Sequence, residues 1–178
     1  NLATDFASGA WSSTGGRTDP GSYLLKNDDT SATAIGKSWQ YINYSFSVNN
    51  VVDLVRATIY CSFRLTASDD FLIRPELRLI RPDGSLSVIW VGTTYTGTAA
   101  FDSGWINVTI DATSNFTLIG TYQLSAVTYS ETGYSGLTLS TTLIQNYIDD
   151  CGIELVYLAK SPTWSNQQQS TSIPAVGA

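Results

Sequence analysis

The chain has 178 residues, of which 43% are apolar and 13% are charged, and its formal net charge is -6. This length and apolar content predict one globular domain with its own core, which excludes a disordered chain. The acidic balance argues against a nucleic-acid backbone as partner, because phosphate neutralisation needs clusters of Lys and Arg. No apolar run approaches the roughly 20 residues of a membrane-spanning helix, so no membrane span is predicted.

The N-terminal third alternates between strand patterns and a polar stretch. Residues 1–11 form the first predicted strand. Residues 12–38, rich in Ser, Thr, Gly and Asp, predict a long loop with short strand pieces. The next run places Ile42 and Tyr44 on one face and Asn43 on the other. This period of two residues is typical of a half-buried strand.

The middle of the chain predicts most of the strands. From Val55 to Leu65 the apolar side chains occupy the odd positions. Further strands are predicted at 72–80, 86–91, 106–110, 116–118, 122–126, 136–144 and 151–157, with turns at Pro82-Asp83-Gly84 and Ser103-Gly104. About eight to ten such strands predict an all-β fold, an antiparallel β-sandwich or jelly roll. This domain spans residues 12–160 and leaves residues 161–178 as a C-terminal tail.

The two cysteines of the chain, Cys61 and Cys151, share the apolar phase of their predicted strands. Both thiols would then face a common core, and two cysteines in a secreted chain predict one disulfide. Closing so long a loop stabilises the fold by about 4–5 kcal/mol in the chain-entropy model. Two free core thiols are the alternative, since cysteine is among the most buried residue types.

Three Asn-x-Ser/Thr sequons begin at Asn43, Asn107 and Asn115. Each asparagine occupies the polar phase of an alternating run, so we expect all three to face solvent and to carry N-linked glycans. Because a chain rich in Asn, Ser and Thr also forms sequons by chance, the evidence for glycosylation is their shared outward phase. The chain begins Asn1-Leu2-Ala3 and contains no methionine, which is typical of a mature protein whose signal peptide has been removed. Together these features predict an extracellular protein at the cell surface.

Catalysis is not predicted for this chain. It has no histidine, the residue that acts most often as general acid or base. Asp149 and Asp150 are adjacent in a strand and would point to opposite faces, so they would not form the carboxylate pair of a glycosidase.

Two groups of residues stand out on the outer faces of the predicted strands. Arg74, Arg78 and Arg81 cluster in the sequence and predict a salt-bridged strand face. Trp39 and Trp105 fall on the outward phase of their strands. Exposed aromatic rows bind sugars or other subunits, because they are costly as plain surface, and core or partly buried packing is the alternative for most of the aromatic residues.

Three short motifs resemble those of jelly-roll carbohydrate-binding modules: Asp5-Phe6-x-x-Gly9-x-Trp11, Gly21-Ser22-Tyr23 and Tyr147-Ile148-Asp149-Asp150. The resemblance implies a structural calcium ion, with Asp5 and either Asp149 or Asp150 among its ligands. Carboxylate oxygens suit Ca²⁺, although solvated carboxylates would give the same sequence. No other cofactor is required.

The overall character of the chain is similar to that of subunits of archaeal surface filaments of the thread and bundling-pilus type. It shares with them a processed start, sequons, low charge and abundant Thr and Ser. The resemblance implies a homopolymer of identical subunits, in which a terminal strand of one subunit completes the sheet of the next. The inward face of this donor strand would be Leu2, Thr4, Phe6, Ser8 and Ala10, and the segment with Ile173, Ala175 and Val176 is the competing donor.

These observations favour a non-enzymatic subunit of an extracellular filament, which polymerises by donor-strand complementation for adhesion or biofilm formation. The alternative is a secreted carbohydrate-binding jelly-roll module that binds surface glycans. Both hypotheses require a secreted β-sandwich, so the strand pattern alone does not separate them.

Overall fold

The computed structural model of the chain describes residues 6–12, 22–28, 36–133 and 142–159. These residues form ten strands and one short 3₁₀ turn at Thr113–Asn115. The strands are β1 (Phe6–Ser12), β2 (Ser22–Asp28), β3 (Gly36–Val48), β4 (Leu54–Ala67), β5 (Phe71–Ile80), β6 (Leu86–Val91), β7 (Tyr95–Gly97), β8 (Phe101–Asp111), β9 (Gly120–Thr132) and β10 (Leu143–Tyr157).

The strands form two antiparallel sheets that pack face to face. Sheet A has the strand order β1-β2-β10-β4-β8, and sheet B has the order β3-β9-β5-β6, with the short β7 also pairing with β5. Every recorded pairing is antiparallel. The predicted all-β sandwich is therefore confirmed.

The alternation predicted for the middle of the chain forms the core. In β4, Ile59, Phe63 and Leu65 are fully buried, and the odd positions of β5 lie opposite them on sheet B. Aromatic pairs join the two sheets: the ring centroids of Phe63 and Trp90 lie 5.8 Å apart. Burial of one such large apolar side chain contributes about 1.5–3 kcal/mol, so this row accounts for much of the stability of the sandwich.

A β-bulge interrupts β10 opposite Cys61. Asp149 pairs with Ser62 and Gly152 pairs with Tyr60, so Asp150 and Cys151 together oppose one residue of β4. Asp150 has a φ of 49°, the left-handed conformation that Asp tolerates better than most residues. The extra residue reverses the phase of the strand: its buried apolar side chains are Ile144 and Ile148 before the bulge, and Ile153 and Leu155 pack on the core after it.

Local turn chemistry agrees with the sequence in one place and differs in two. The predicted turn forms at Pro82-Asp83-Gly84, where Gly84 has a φ of 82° and donates its N–H to the carbonyl of Arg81. The predicted turn at Ser103-Gly104 is instead a bulge within β8, opposite Leu65. The prediction of a strand at 116–118 is wrong. The 3₁₀ turn ends at Asn115, and Phe116 is buried in the core from the irregular segment before β9.

The predicted donor strand corresponds in part to β1. Phe6, Ser8 and Ala10 lie in β1, which pairs along its whole length with β2 of the same chain. Leu2 and Thr4 fall outside the described residues, as do the tail 161–178 and most of the strand predicted at 136–144. The division into a donor segment, a sandwich and a tail stays a prediction.

Candidate functional site

The outer face of sheet B carries a group of aromatic and charged side chains, which we call the aromatic platform. Its members are Trp39 and Tyr41 from β3, Tyr129 from β9, and Arg74, Glu76 and Arg78 from β5. The strand register aligns them in rows: Trp39, Tyr129 and Arg74 form one row, and Tyr41 and Glu76 flank Val127 in the next. Because alternate residues of a strand share a face, these positions all point away from the core.

Two rings of the platform remain accessible. Trp39 is 46% exposed and Tyr41 is 61% exposed, although both belong to residue types that usually bury most of their surface. Val127, which lies between the rows, is only 2% exposed. The platform therefore exposes two aromatic rings at its β3 edge, next to the buried side chain of Val127.

Glu76 organises the charged part of the platform. One of its carboxylate oxygens accepts hydrogen bonds from Arg74 Nε at 3.0 Å and Nη2 at 2.6 Å, and the other accepts from Arg78 Nε at 2.9 Å and Nη2 at 2.7 Å. The Glu76 side chain is 3% exposed, whereas those of Arg74 and Arg78 are 31% and 24% exposed. The predicted salt-bridged strand face is confirmed for these two arginines.

The two guanidinium groups also contact the aromatic rings. Arg78 Cζ lies 4.4 Å from the centroid of the Trp39 ring, and Arg74 Cζ lies 5.6 Å from that of Tyr129. The Trp39 and Tyr129 centroids are 4.4 Å apart with tilted planes. Cation–π contacts of this kind are worth about 0.5–2 kcal/mol, so the network fixes the orientation of Trp39.

A second carboxylate, that of Glu131, lies next to Tyr129 at the other end of the platform. The Tyr129 hydroxyl donates to a carboxylate oxygen of Glu131, and Lys37 Nζ lies 3.3 Å from the same oxygen. Burial of the phenol, helped by the hydrogen bond to Glu131, raises the pKa of Tyr129 to about 12. At neutral pH the hydroxyl is a hydrogen-bond donor, and each carboxylate of this face is paired with at least one basic side chain.

The platform has the features of a binding surface. The rings of Trp39 and Tyr129 and the two guanidinium groups are held in one geometry by hydrogen bonds and stacking, so these groups would lose little conformational freedom on binding. Each arginine uses Nε and Nη2 toward Glu76 and has further N–H donors that reach the partly exposed side of the group. Flat apolar faces beside fixed polar donors suit a ligand with both apolar faces and hydroxyl groups.

The cysteines form the predicted bond but not in the predicted place. Cys61 and Cys151 are joined in a disulfide between the neighbouring strands β4 and β10. Cys61 is 2% exposed, as predicted, whereas Cys151 is exposed. The expectation that both sulfur atoms face the core is wrong for Cys151, because the bulge at Asp150 changes the side of the strand on which it lies.

The sequon asparagines divide into two groups. Asn43 on β3 and Asn107 on β8 are exposed strand residues, as predicted. Their side-chain oxygens accept hydrogen bonds from serine hydroxyls of neighbouring strands, Ser125 at 2.6 Å and Ser62 at 3.2 Å. Asn115 is only partly exposed and lies in the 3₁₀ turn rather than in a strand. Glycosylation of the three sites stays a prediction.

The predicted calcium ligands are described only in part. Asp5 lies outside the described residues, and Asp149 and Asp150 both belong to the β10 bulge, where the Asp150 N–H donates to Asp149 Oδ1 at 2.9 Å. Within the described part of the chain, no group of three or more His, Cys, Asp or Glu side chains could hold a metal ion. These two carboxylates therefore do not make a calcium site by themselves, and the site stays a prediction.

The sequence located only part of the platform. Of the two tryptophans predicted to face outward, Trp39 lies on sheet B and Trp105 lies on β8 of sheet A, so they do not share a surface. The roles of Tyr41, Glu76 and Tyr129 were missed. The alternating segment Arg74-x-Glu76-x-Arg78 was a signal for Glu76, but the pairing of β3 with β9 brings Tyr129 to Trp39 across a long sequence distance.

Comparison with known proteins finds similar solved structures but no matching family. No protein-family model and no curated protein matches the chain. One similar solved structure comes from work on "the promiscuous specificity of the carbohydrate-binding modules from the beta-sandwich super family", with 13% identity, a TM-score of 0.47, and coverage of 86% of this chain and 58% of that one. A second, from work on "CBM4 structure and function", has 12% identity, a TM-score of 0.37, and coverage of 75% and 84%.

A third similar structure is the enzymatically active domain of bacteriophage CBA120 tailspike protein 4, with 10% identity, a TM-score of 0.38, and coverage of 87% of this chain and 18% of that one. The chain thus spans well under two thirds of the first and third of these proteins. Two of the three structures come from work on carbohydrate-binding modules, and none of the three is described as a filament subunit.

Proposed function

We propose that the chain is a non-enzymatic carbohydrate-binding module that holds a glycan on the aromatic platform. The observation that carries this proposal is the pair of exposed rings, Trp39 and Tyr41, side by side on a sheet face whose charges are already paired. Two exposed rings side by side form an apolar patch, and such patches on a protein surface can mark binding sites.

The spacing of the two rings suits an extended chain of sugars. Residues two apart in a strand are about 7 Å apart, so adjacent units of one oligosaccharide can contact Tyr41 and Trp39 in turn. Their C–H faces would stack on the rings, and the remaining donors of Arg74 and Arg78 would bind hydroxyl groups beside the stack. Because Glu76 holds both guanidinium groups, these donors are oriented before the sugar arrives.

An extracellular location accompanies this proposal. The disulfide between Cys61 and Cys151 is typical of oxidising compartments. In the part of the chain that the structure describes, no helix is long and apolar enough to cross a membrane. A module that binds glycans would meet them outside the cell.

The test is native gel electrophoresis of the chain through gels that contain single soluble polysaccharides, namely xylan, β-glucan, glucomannan and laminarin. We expect at least one of them to retard the protein, and Trp39→Ala and Tyr41→Ala to weaken binding about tenfold or more, which corresponds to about 1.4 kcal/mol. The matched control is Trp105→Ala, since Trp105 lies on the other sheet. Retardation that persists in Trp39→Ala and Tyr41→Ala, or retardation by none of the polysaccharides, would contradict the proposal.

A second candidate function is the assembly of identical subunits by strand addition. The observation that favours it is an open corner between the sheets. β10 pairs with β2 only as far as Ile148, and β3 pairs with β9 alone among the described strands. A cavity of about 330 Å³ lies at this corner, and the nearby rings of Tyr23 and Tyr44 are 42% and 54% exposed. An extended segment of a second copy could pair there and cover these side chains.

A further inference from the structure

The sequon at Asn43 lies on the same face of β3 as the aromatic platform. Trp39, Tyr41, Asn43 and Ser45 alternate along the strand and all are exposed. Asn43 is thus about 7 Å from Tyr41 and about twice that distance from Trp39. Any sugar attached to Asn43 begins next to one of the two open rings.

A hydrogen bond sets the direction in which the Asn43 side chain can be modified. Ser125 Oγ, on β9, donates to Asn43 Oδ1 at 2.6 Å. The carbonyl oxygen of the amide therefore points toward the interior of sheet B. The nitrogen, which is the atom that accepts a sugar, takes no part in this hydrogen bond. Because β3 is the edge strand of sheet B, the described strands leave the side of Asn43 away from β9 uncovered.

We propose that Asn43 carries an N-linked glycan whose first sugar stacks on Tyr41 and occupies one end of the aromatic platform. In the modification, Asn43 Nδ2 forms a bond to C1 of the first sugar of a polyisoprenyl-pyrophosphate-linked oligosaccharide. The bond between C1 and the phosphate oxygen breaks, the lipid pyrophosphate leaves with the electron pair, and the amide nitrogen loses one proton.

The attached glycan competes with a free ligand because it is tethered. A group held by a short flexible link is present at an effective concentration in the millimolar range. A free ligand that binds the ring of Tyr41 must displace the attached glycan, so the apparent affinity of this ligand is lower for the glycosylated chain. This regulatory part rests on the proposed function, whereas the stacking of the first sugar on Tyr41 does not.

The other two sequons provide internal comparisons. Asn107 has Trp105 two residues before it on the same strand face, so it repeats the relation between Tyr41 and Asn43 on sheet A. Asn115 lies in the 3₁₀ turn, and the residue two positions before it is Thr113. The hydroxyl of Thr113 accepts a hydrogen bond from the Ala57 N–H. A sugar on Asn115 therefore has no ring two residues away.

The first experiment tests stacking without any ligand. The full chain is secreted from an N-glycosylating eukaryotic host with isotope-labelled sugars, site occupancy is measured by mass spectrometry, and NMR records the first sugar at each site. We expect an upfield shift of its ring protons at Asn43, which Tyr41→Ala removes while the signals from Asn115 stay unchanged. An unoccupied Asn43, or shifts that are the same with and without Tyr41, would overturn the proposal.

The second experiment measures competition and uses Ser45→Ala, which removes the sequon but keeps Asn43 and its bond to Ser125. The probe is the polysaccharide that retards the unglycosylated chain most strongly in the gel assay. We expect Ser45→Ala to bind it several-fold more tightly than the glycosylated chain does, and Thr109→Ala, which removes the Asn107 sequon, to have no effect. Equal binding by both forms overturns the regulatory part. If no polysaccharide binds, the proposed function is wrong and the regulatory part of this proposal fails with it. The stacking of the first sugar on Tyr41 is tested separately by the NMR experiment.

Discussion

Replacement of Glu76 should reveal how much the charged network stabilises sheet B. In Glu76→Gln one end of the amide still accepts from one arginine, but its NH₂ group faces the donors of the other. Removal of one partner from a buried ion pair costs about 3–5 kcal/mol. The side chains of Arg74 and Arg78 are 31% and 24% exposed, so water recovers part of their solvation. We therefore expect the free energy of unfolding to fall by about 2–3 kcal/mol.

The measurement is urea unfolding followed by far-UV circular dichroism. With an m-value of about 2 kcal/mol/M, the expected loss lowers the midpoint by about 1–1.5 M urea. The matched control is Glu154→Gln, because Glu154 pairs with Arg56 at 3.3 Å while both side chains are more than half exposed. Such a surface pair contributes about 1 kcal/mol or less. If the two variants unfold at the same midpoint, Glu76 does not organise the platform and the argument for its rigidity is wrong.

Three further predictions concern other parts of the molecule. Cys151→Ser should lower the free energy of unfolding by up to about 4–5 kcal/mol, because the disulfide closes a loop with a sequence separation of 90, and wild-type protein in reductant should unfold at the same urea midpoint as the variant. The raised pKa of Tyr129, about 12 against about 10 in the unfolded chain, contributes stability that is present below pH 10 and is lost as the pH rises toward 12. Tyr129→Phe should therefore show a smaller loss of thermal stability over that interval, and an identical loss would refute the assignment. Negative-stain microscopy of concentrated protein should show filaments if subunits exchange strands. Deletion of residues 161–178 should leave single globules if that tail is the donor, whereas filaments that persist would direct attention to residues 1–11.

The alternation of apolar and polar residues predicted the sheets more successfully than their connections. The odd positions of β4 from Ala57 onward are buried as the pattern indicated, because a central strand covered on one face must keep a period of two residues, whereas Val55 is exposed. The pattern failed near residue 116, where Phe116 enters the core from an irregular segment. Burial and strand structure are separate properties, and hydrophobicity reports only the first.

The candidate site was less predictable than the fold because its members come together through pairing between distant strands. Trp39 could be recognised as an outward residue, but nothing near it in the sequence indicates Tyr129 or Glu76. Their proximity follows from the position of β9 between β3 and β5, which the local pattern does not encode. The exposure of Cys151 was missed for a different reason, since Cys151 lies within the bulge itself, where the alternation of the strand is interrupted, whereas Ile153 and Leu155 beyond it keep the predicted inward phase.

The bulge in β10 also constrains how relatives of this chain can vary in length. Loss of a single residue at position 150 would restore a regular strand in which Cys151 pairs directly with Cys61, while Ile153 and Leu155 stay on the core face. A homologue with that deletion therefore needs no compensating change in β4. The aspartate with the left-handed backbone marks the position at which this strand can lose a residue without turning its apolar side chains away from the core.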